Sequence, residues 1–123
     1  MTVTNTFLNE LAKAINGESY LTASHIVAGS TDVSTIDTSD TTIQGELGSR
    51  ISTSGSRTDN NVEFSAIRSG AVVIDTTNGD DINSAGLLTA ETGGELLSGI
   101  TLGGVTQTTN FDIEFIFDLT VER

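Results

Sequence analysis

The sequence has no cysteine, no proline and no tryptophan, and it carries one tyrosine and one histidine. Without cysteine there is no disulfide framework, no Cys-type zinc site and no thiol nucleophile. His25 stands in Ser24-His25-Ile26-Val27, with no Asp or Glu beside it to orient an imidazole for acid–base work. No serine sits in the Gly-x-Ser-x-Gly pattern of a nucleophile elbow, so no nucleophile is assigned and no enzymatic activity is expected. Basic residues are equally scarce: Lys13 is the only lysine, and Arg50, Arg57, Arg68 and Arg123 are widely spaced. Such scatter cannot neutralise a run of phosphates, which removes nucleic acid from the expected partners. No stretch approaches the roughly 20 apolar residues that span a bilayer, and no basic segment leads into an apolar run at the start. Membrane insertion is therefore not expected, and the chain is expected to fold where it is made or to enter a particle there.

The acidic side of the balance is full. Seventeen Asp and Glu against five Lys and Arg give a formal net charge of −12 in 123 residues. Charged residues make up only 18% and mean hydropathy is +0.01, which separates this chain from acidic disordered segments. Abundant carboxylates with almost no lysine suit concentrated salt, where the self-repulsion is screened; an ordinary acidic protein is the alternative. The length suits one domain, 1–123, with a core of its own.

Phe7, Leu8, Leu11 and Ile15 recur at helical spacing between Asn5 and Asn16, and they predict one helix. Asn5 or Thr4 can cap its start and Gly17 can supply the left-handed residue after its end. Beyond it the chain is rich in Ser, Thr, Val, Ile and Gly, with turn clusters at short intervals. Seven strands are predicted: Ala23–Ala28, Ser49–Ser54, Asn61–Arg68, Ala71–Thr76, Ile82–Thr89, Glu95–Leu102 and Asn110–Glu122. The last is the clearest, because Phe111, Ile113, Phe115, Phe117, Leu119 and Val121 alternate with a mostly acidic face. The expected fold class is mainly β, an antiparallel, jelly-roll-like β-sandwich of about seven strands with one N-terminal helix (about 5–16, the sandwich about 23–123).

Asp80-Asp81, and Asp37 with Asp40, are the carboxylate pairs that a hard cation would favour. Asn78-Gly79-Asp80-Asp81 has turn composition and lacks the spaced ligands of a calcium loop, so it is read as a turn. Gly93-Gly94 and Gly103-Gly104 lead into no helix and precede no lysine, and they are read as hairpin or bulge glycines. No metal and no cofactor are expected.

The order of features resembles small structural proteins of head-tailed viruses, of the tail-fibre or capsid-decoration type. The residues that carry the likeness are Asn16-Gly17-Glu18, Ser24–Gly29 into Gly29-Ser30-Thr31, and Ser39-Asp40-Thr41 with Glu46 and Arg50. In the second half they are Ile82-Asn83-Ser84-Ala85-Gly86-Leu87-Leu88, Ala90, and Gly93-Gly94-Glu95-Leu96-Leu97 before the long final strand. Leu87 replaces a residue that is often aromatic in that pattern, and basic residues are fewer. The resemblance implies a virion component, made in the host cytoplasm, in an acidic form suited to a haloarchaeal virus. It would form a homo-oligomer, a trimer or pentamer, beside major capsid or tail proteins, as a capsid decoration or turret or as a tail or baseplate appendage. A secreted or cell-surface module binding carbohydrate or protein is the other reading. The aperiodic stretch Ser30–Glu46 is expected to be ordered by a neighbouring subunit through Val33, Ile36 and Ile43, with Phe7 and Leu11 of the helix as the second candidate surface.

Overall fold

The computed structural model describes residues 1–30 and 36–122. It is mainly β, with two antiparallel sheets and one N-terminal helix. The larger sheet has the order β1-β7-β6-β2-β3, built from Thr2–Val3 (β1), Leu96–Gln107 (β7), Asp80–Leu88 (β6), His25–Gly29 (β2) and Ile51–Ser52 (β3). The smaller sheet runs β4-β5-β8, from Ser56–Thr58, Asn61–Arg68 and Ile113–Thr120.

The period-two strands form where alternation predicts them. In β8, Phe115, Phe117 and Leu119 are buried while Glu114, Ile116 and Asp118 point out. Their ladder with β5 is regular from Asn61↔Thr120 to Arg68↔Ile113. The strand stops short of the predicted ends, leaving Phe111 and Val121 exposed beyond it. The hairpin from β4 to β5 turns at Asp59-Asn60, with Asp59 at φ 51°, a backbone that Asp and Asn tolerate better than most residues.

At its centre, where β2 lies beside the end of β6 and the start of β7, the larger sheet is buried on both faces. One face gives Ile26, Ala28, Ile82, Ala85 and Leu87 to a core completed by Ala66, Phe115, Phe117 and Leu119 of the smaller sheet. The other face gives Val27, Leu88 and Leu96 to a second cluster. Ile82↔Val105 is followed by Ser84↔Thr101, so Asn83 faces three residues, Leu102 to Gly104. Gly103 and Gly104 are therefore bulge residues inside β7, at φ 68° and 84°, rather than the end of the strand. The bulge also lets Ile82 and Ala85, of opposite parity, face the same core.

Two predicted elements are corrected. Ala71–Thr76 is no strand: Gly70–Val72 is a single 3-10 turn, and the N–H groups of Ile74 and Asp75 donate to the Asp80 carboxylate at 2.9 and 3.0 Å instead of to a ladder. Asp80 and Asp81 belong to β6 rather than to a turn. Two short strands, β1 and β4, were not predicted, since two or three residues carry no measurable period.

Candidate assembly surface

Helix α1 spans Asn5–Ile15. Its cap is Thr4, whose hydroxyl oxygen accepts from the Phe7 N–H at 3.3 Å. The same hydroxyl donates to the Leu96 carbonyl at 2.6 Å, fastening the start of the helix to β7. Asn5 N–H donates to the Thr38 carbonyl at 2.7 Å, so the helix is also fixed to the segment that covers the larger sheet. Gly17 at φ 74° follows the helix end, as the sequence predicts.

The helix is oriented against its own periodicity. Of its 11 residues the one buried residue is Glu10, and only Phe7 of the apolar stripe packs against the core. Leu8 is 56% exposed and Ile15 80% exposed, and Leu11 is exposed between them. Glu10 is satisfied from both sides: Lys13 Nζ donates to Oε1 at 2.9 Å and the Leu21 N–H to Oε2 at 2.6 Å. The Lys13 ammonium and then the Leu21 N–H hold its carboxyl below the usual range despite burial, and the same pairing raises Lys13. These bonds draw Tyr20 and Leu21 back against the helix, where both side chains remain exposed. Between them lies an apolar cavity of about 180 Å³, lined by Phe7, Leu11, Tyr20, Leu21, Val62 and Leu119. Leu8, Leu11 and Ile15, at spacings of three and four, thus continue an apolar rim around an apolar cleft.

The other predicted surface lies elsewhere. Ile36 and Ile43 are buried by their own chain, against Val27, Leu88 and Leu96 on the outer face of the larger sheet. Gly86 and Gly99 make this possible, because a Cβ at either position would collide with Ile43 or Ile36 respectively. Leu96 N–H donates to Thr41 O at 3.0 Å and Leu47 N–H to Ala28 O at 2.8 Å, stitching residues 36–47 onto the sheet. These two isoleucines are accordingly covered within the single chain rather than exposed on its surface, as an intersubunit contact would require. Val33 lies outside the described residues. Phe7 and Leu11 are the predicted pair that the structure brings together, at the cavity.

Two polar clusters escaped the sequence reading. Arg68 is buried with Asp80, Nη2 donating to Oδ2 at 2.7 Å, and its Nη1 donates to Gln107 Oε1 at 2.6 Å. Gln107 Nε2 in turn donates to the Arg68 and Phe111 carbonyls. Burial pushes the Asp80 carboxyl up, but the Asp75 and Ile74 N–H groups and the guanidinium together hold it below its ordinary value. This network ties β5 of the smaller sheet to β6 and β7 of the larger. Its one signal in sequence is that Arg68 shares parity with the inward Val62, Phe64 and Ala66. In the second cluster, Arg50 grips Glu46 through Nε and Nη2 at 2.8 and 2.9 Å and donates Nη1 to the Ala90 and Gly93 carbonyls, clamping the β6–β7 turn.

His25 Nδ1 is 2.8 Å from Ser24 Oγ. Asp40 closes a turn by accepting from the Asp37 N–H at 2.9 Å, and Asp81 accepts from Thr106 Oγ1 at 2.7 Å. Among the described residues no three His, Asp or Glu side chains converge, and no helix is long and apolar enough to cross a membrane. Compared with known proteins, the chain matches no family model, no curated protein and no solved structure.

Proposed function

We propose that this chain is a non-enzymatic structural subunit of a head-tailed virus particle, joined to copies of itself through the exposed face of α1. The observation that carries this reading is the outward stripe Leu8, Leu11 and Ile15, which leaves the helix's apolar side without a partner among the described residues while a charged residue is buried beneath it. A helix that turns its stripe to water loses the main source of its stability, and a second copy restores it. The spacing is that of a helix–helix seam, and the face can repeat around an axis to close a ring of three or five.

Charge favours a second copy here over a different partner. On a chain of net −12, residues 5–16 contain only Glu10 and Lys13, which neutralise one another. Two copies can thus meet at α1 without bringing like charges together. The fold in this reading is a jelly-roll-like sandwich, supported by the single core cluster to which both sheets contribute. The viral setting rests on the order of sequence features, and the halophilic host on the excess of carboxylate over lysine. Gold-labelled antibody against the protein, applied to purified virus particles, is expected to decorate the capsid or the tail in a regular pattern. Particles free of label, with the protein present in the lysate, would overturn the assignment.

A further inference from the structure

We infer that the free edge of β8 is a docking site for a strand of another protein, one that carries Lys or Arg at alternate outward positions. β8 ends the order β4-β5-β8, and among the described residues no strand pairs with its other side. The remaining sheet ends are blunted. β1 and β3 are two residues long and β4 three, and the stretch of β7 beyond β1 is bent by the left-handed Gly103 and Gly104. β8 alone offers a regular edge of eight residues, with a row of backbone donors and acceptors ready to template a strand. It is held rigid beforehand, because Phe115, Phe117 and Leu119 are buried beneath it, so a docking strand has only its own ordering to offset.

The outward row of β8 states the chemistry of the occupant. It reads Glu114, Ile116, Asp118, Thr120, all exposed, with Glu63 directly across from Asp118 on β5. A strand laid alongside would match this row with basic, apolar and basic residues in alternate positions. A second copy of β8 fits badly: it supplies no basic residue in any register and brings a second acidic row, on a chain of net −12, beside the first. Nor can another part of this chain serve, since none of its five basic residues lies two or four positions from another. The occupant this edge fits is therefore a basic strand of a different protein. This surface is separate from α1 and does not depend on self-association.

The test uses the whole protein, ¹⁵N-labelled, in the lowest salt at which it is folded, with the blocked peptide Lys-Thr-Val-Thr-Lys-Thr-Val-Thr, whose one face alternates Lys and Val to match Glu114, Ile116 and Asp118, as probe. Saturable shifts and slowed amide exchange confined to β8 and its β5 neighbours are expected. A peptide of the same composition with its lysines in one block should bind without that localisation. The exposed double variant Glu114→Lys/Asp118→Lys should lose about tenfold or more in affinity for this probe and should instead bind the same peptide with Glu in place of each Lys. A Leu11→Lys/Ile15→Lys variant should bind the Lys peptide unchanged, which separates this surface from the helix. Absence of saturable shifts, shifts spread over the acidic surface or centred on α1, or undiminished binding by the β8 double variant would each overturn the inference.

Discussion

At the scale of single residues, the buried Arg68–Asp80 pair decides most about stability. Breaking such a pair leaves the other charge without a partner, so Arg68→Leu should cost about 3–5 kcal/mol in denaturant unfolding, whereas the exposed Asp81→Asn should change little. A loss below about 1 kcal/mol for Arg68→Leu would mean that the inter-sheet network does not hold the sheets together. The pH dependence follows from the depressed Asp80 carboxyl. Its stabilising contribution is complete above the unfolded carboxylate range and disappears as pH falls through the lower folded value. Glu46, held low first by its hydrogen bonds from Arg50, acts in the same direction. Acid titration of the melting temperature should therefore fall more steeply for the wild type than for Asp80→Asn. Very little of this was legible in the sequence. Arg68 stands at an inward-facing position, but its two partners lie 12 and 39 residues further on, and no local period connects them.

At the scale of elements, what periodicity expresses was legible and what depends on tertiary cover was not. β5 and β8 announce themselves because one face of each is buried and the other is wet. The helix does so too, yet its stripe shows only that one side requires cover, not whether the same chain supplies it. The stretch Ser30–Glu46 reads as an aperiodic loop because its described part, residues 36–46, forms no ladder of its own and lies over a sheet face whose glycines leave room for Ile36 and Ile43. Ile43→Ala should consequently destabilise the single chain by about 2–5 kcal/mol, and Gly86→Ala should also destabilise it because its methyl would meet Ile43. Phe117→Ala should cost about 3–5 kcal/mol. If Ile43→Ala left the unfolding midpoint unchanged while dispersing an oligomer, these residues would be an intermolecular surface after all.

At the scale of the whole molecule, charge and cover act together. A net −12 with Glu63 directly opposite Asp118 means that self-repulsion is built into the surface, and salt relieves it. Melting temperature should rise clearly from dilute buffer to molar KCl, and indifference to salt would remove the reason for a halophilic setting. In the proposed assembly, screening also lets copies of one acidic chain approach, and the locally neutral apolar stripe of α1 would hold them. The most direct measurement is light scattering coupled to size-exclusion chromatography in molar salt, on the wild type and on Leu11→Lys/Ile15→Lys, with circular dichroism of both. The account predicts a discrete closed oligomer for the wild type and a folded monomer with an unchanged spectrum for the variant. A wild type that is monomeric at every concentration, or a variant that still assembles, would contradict it.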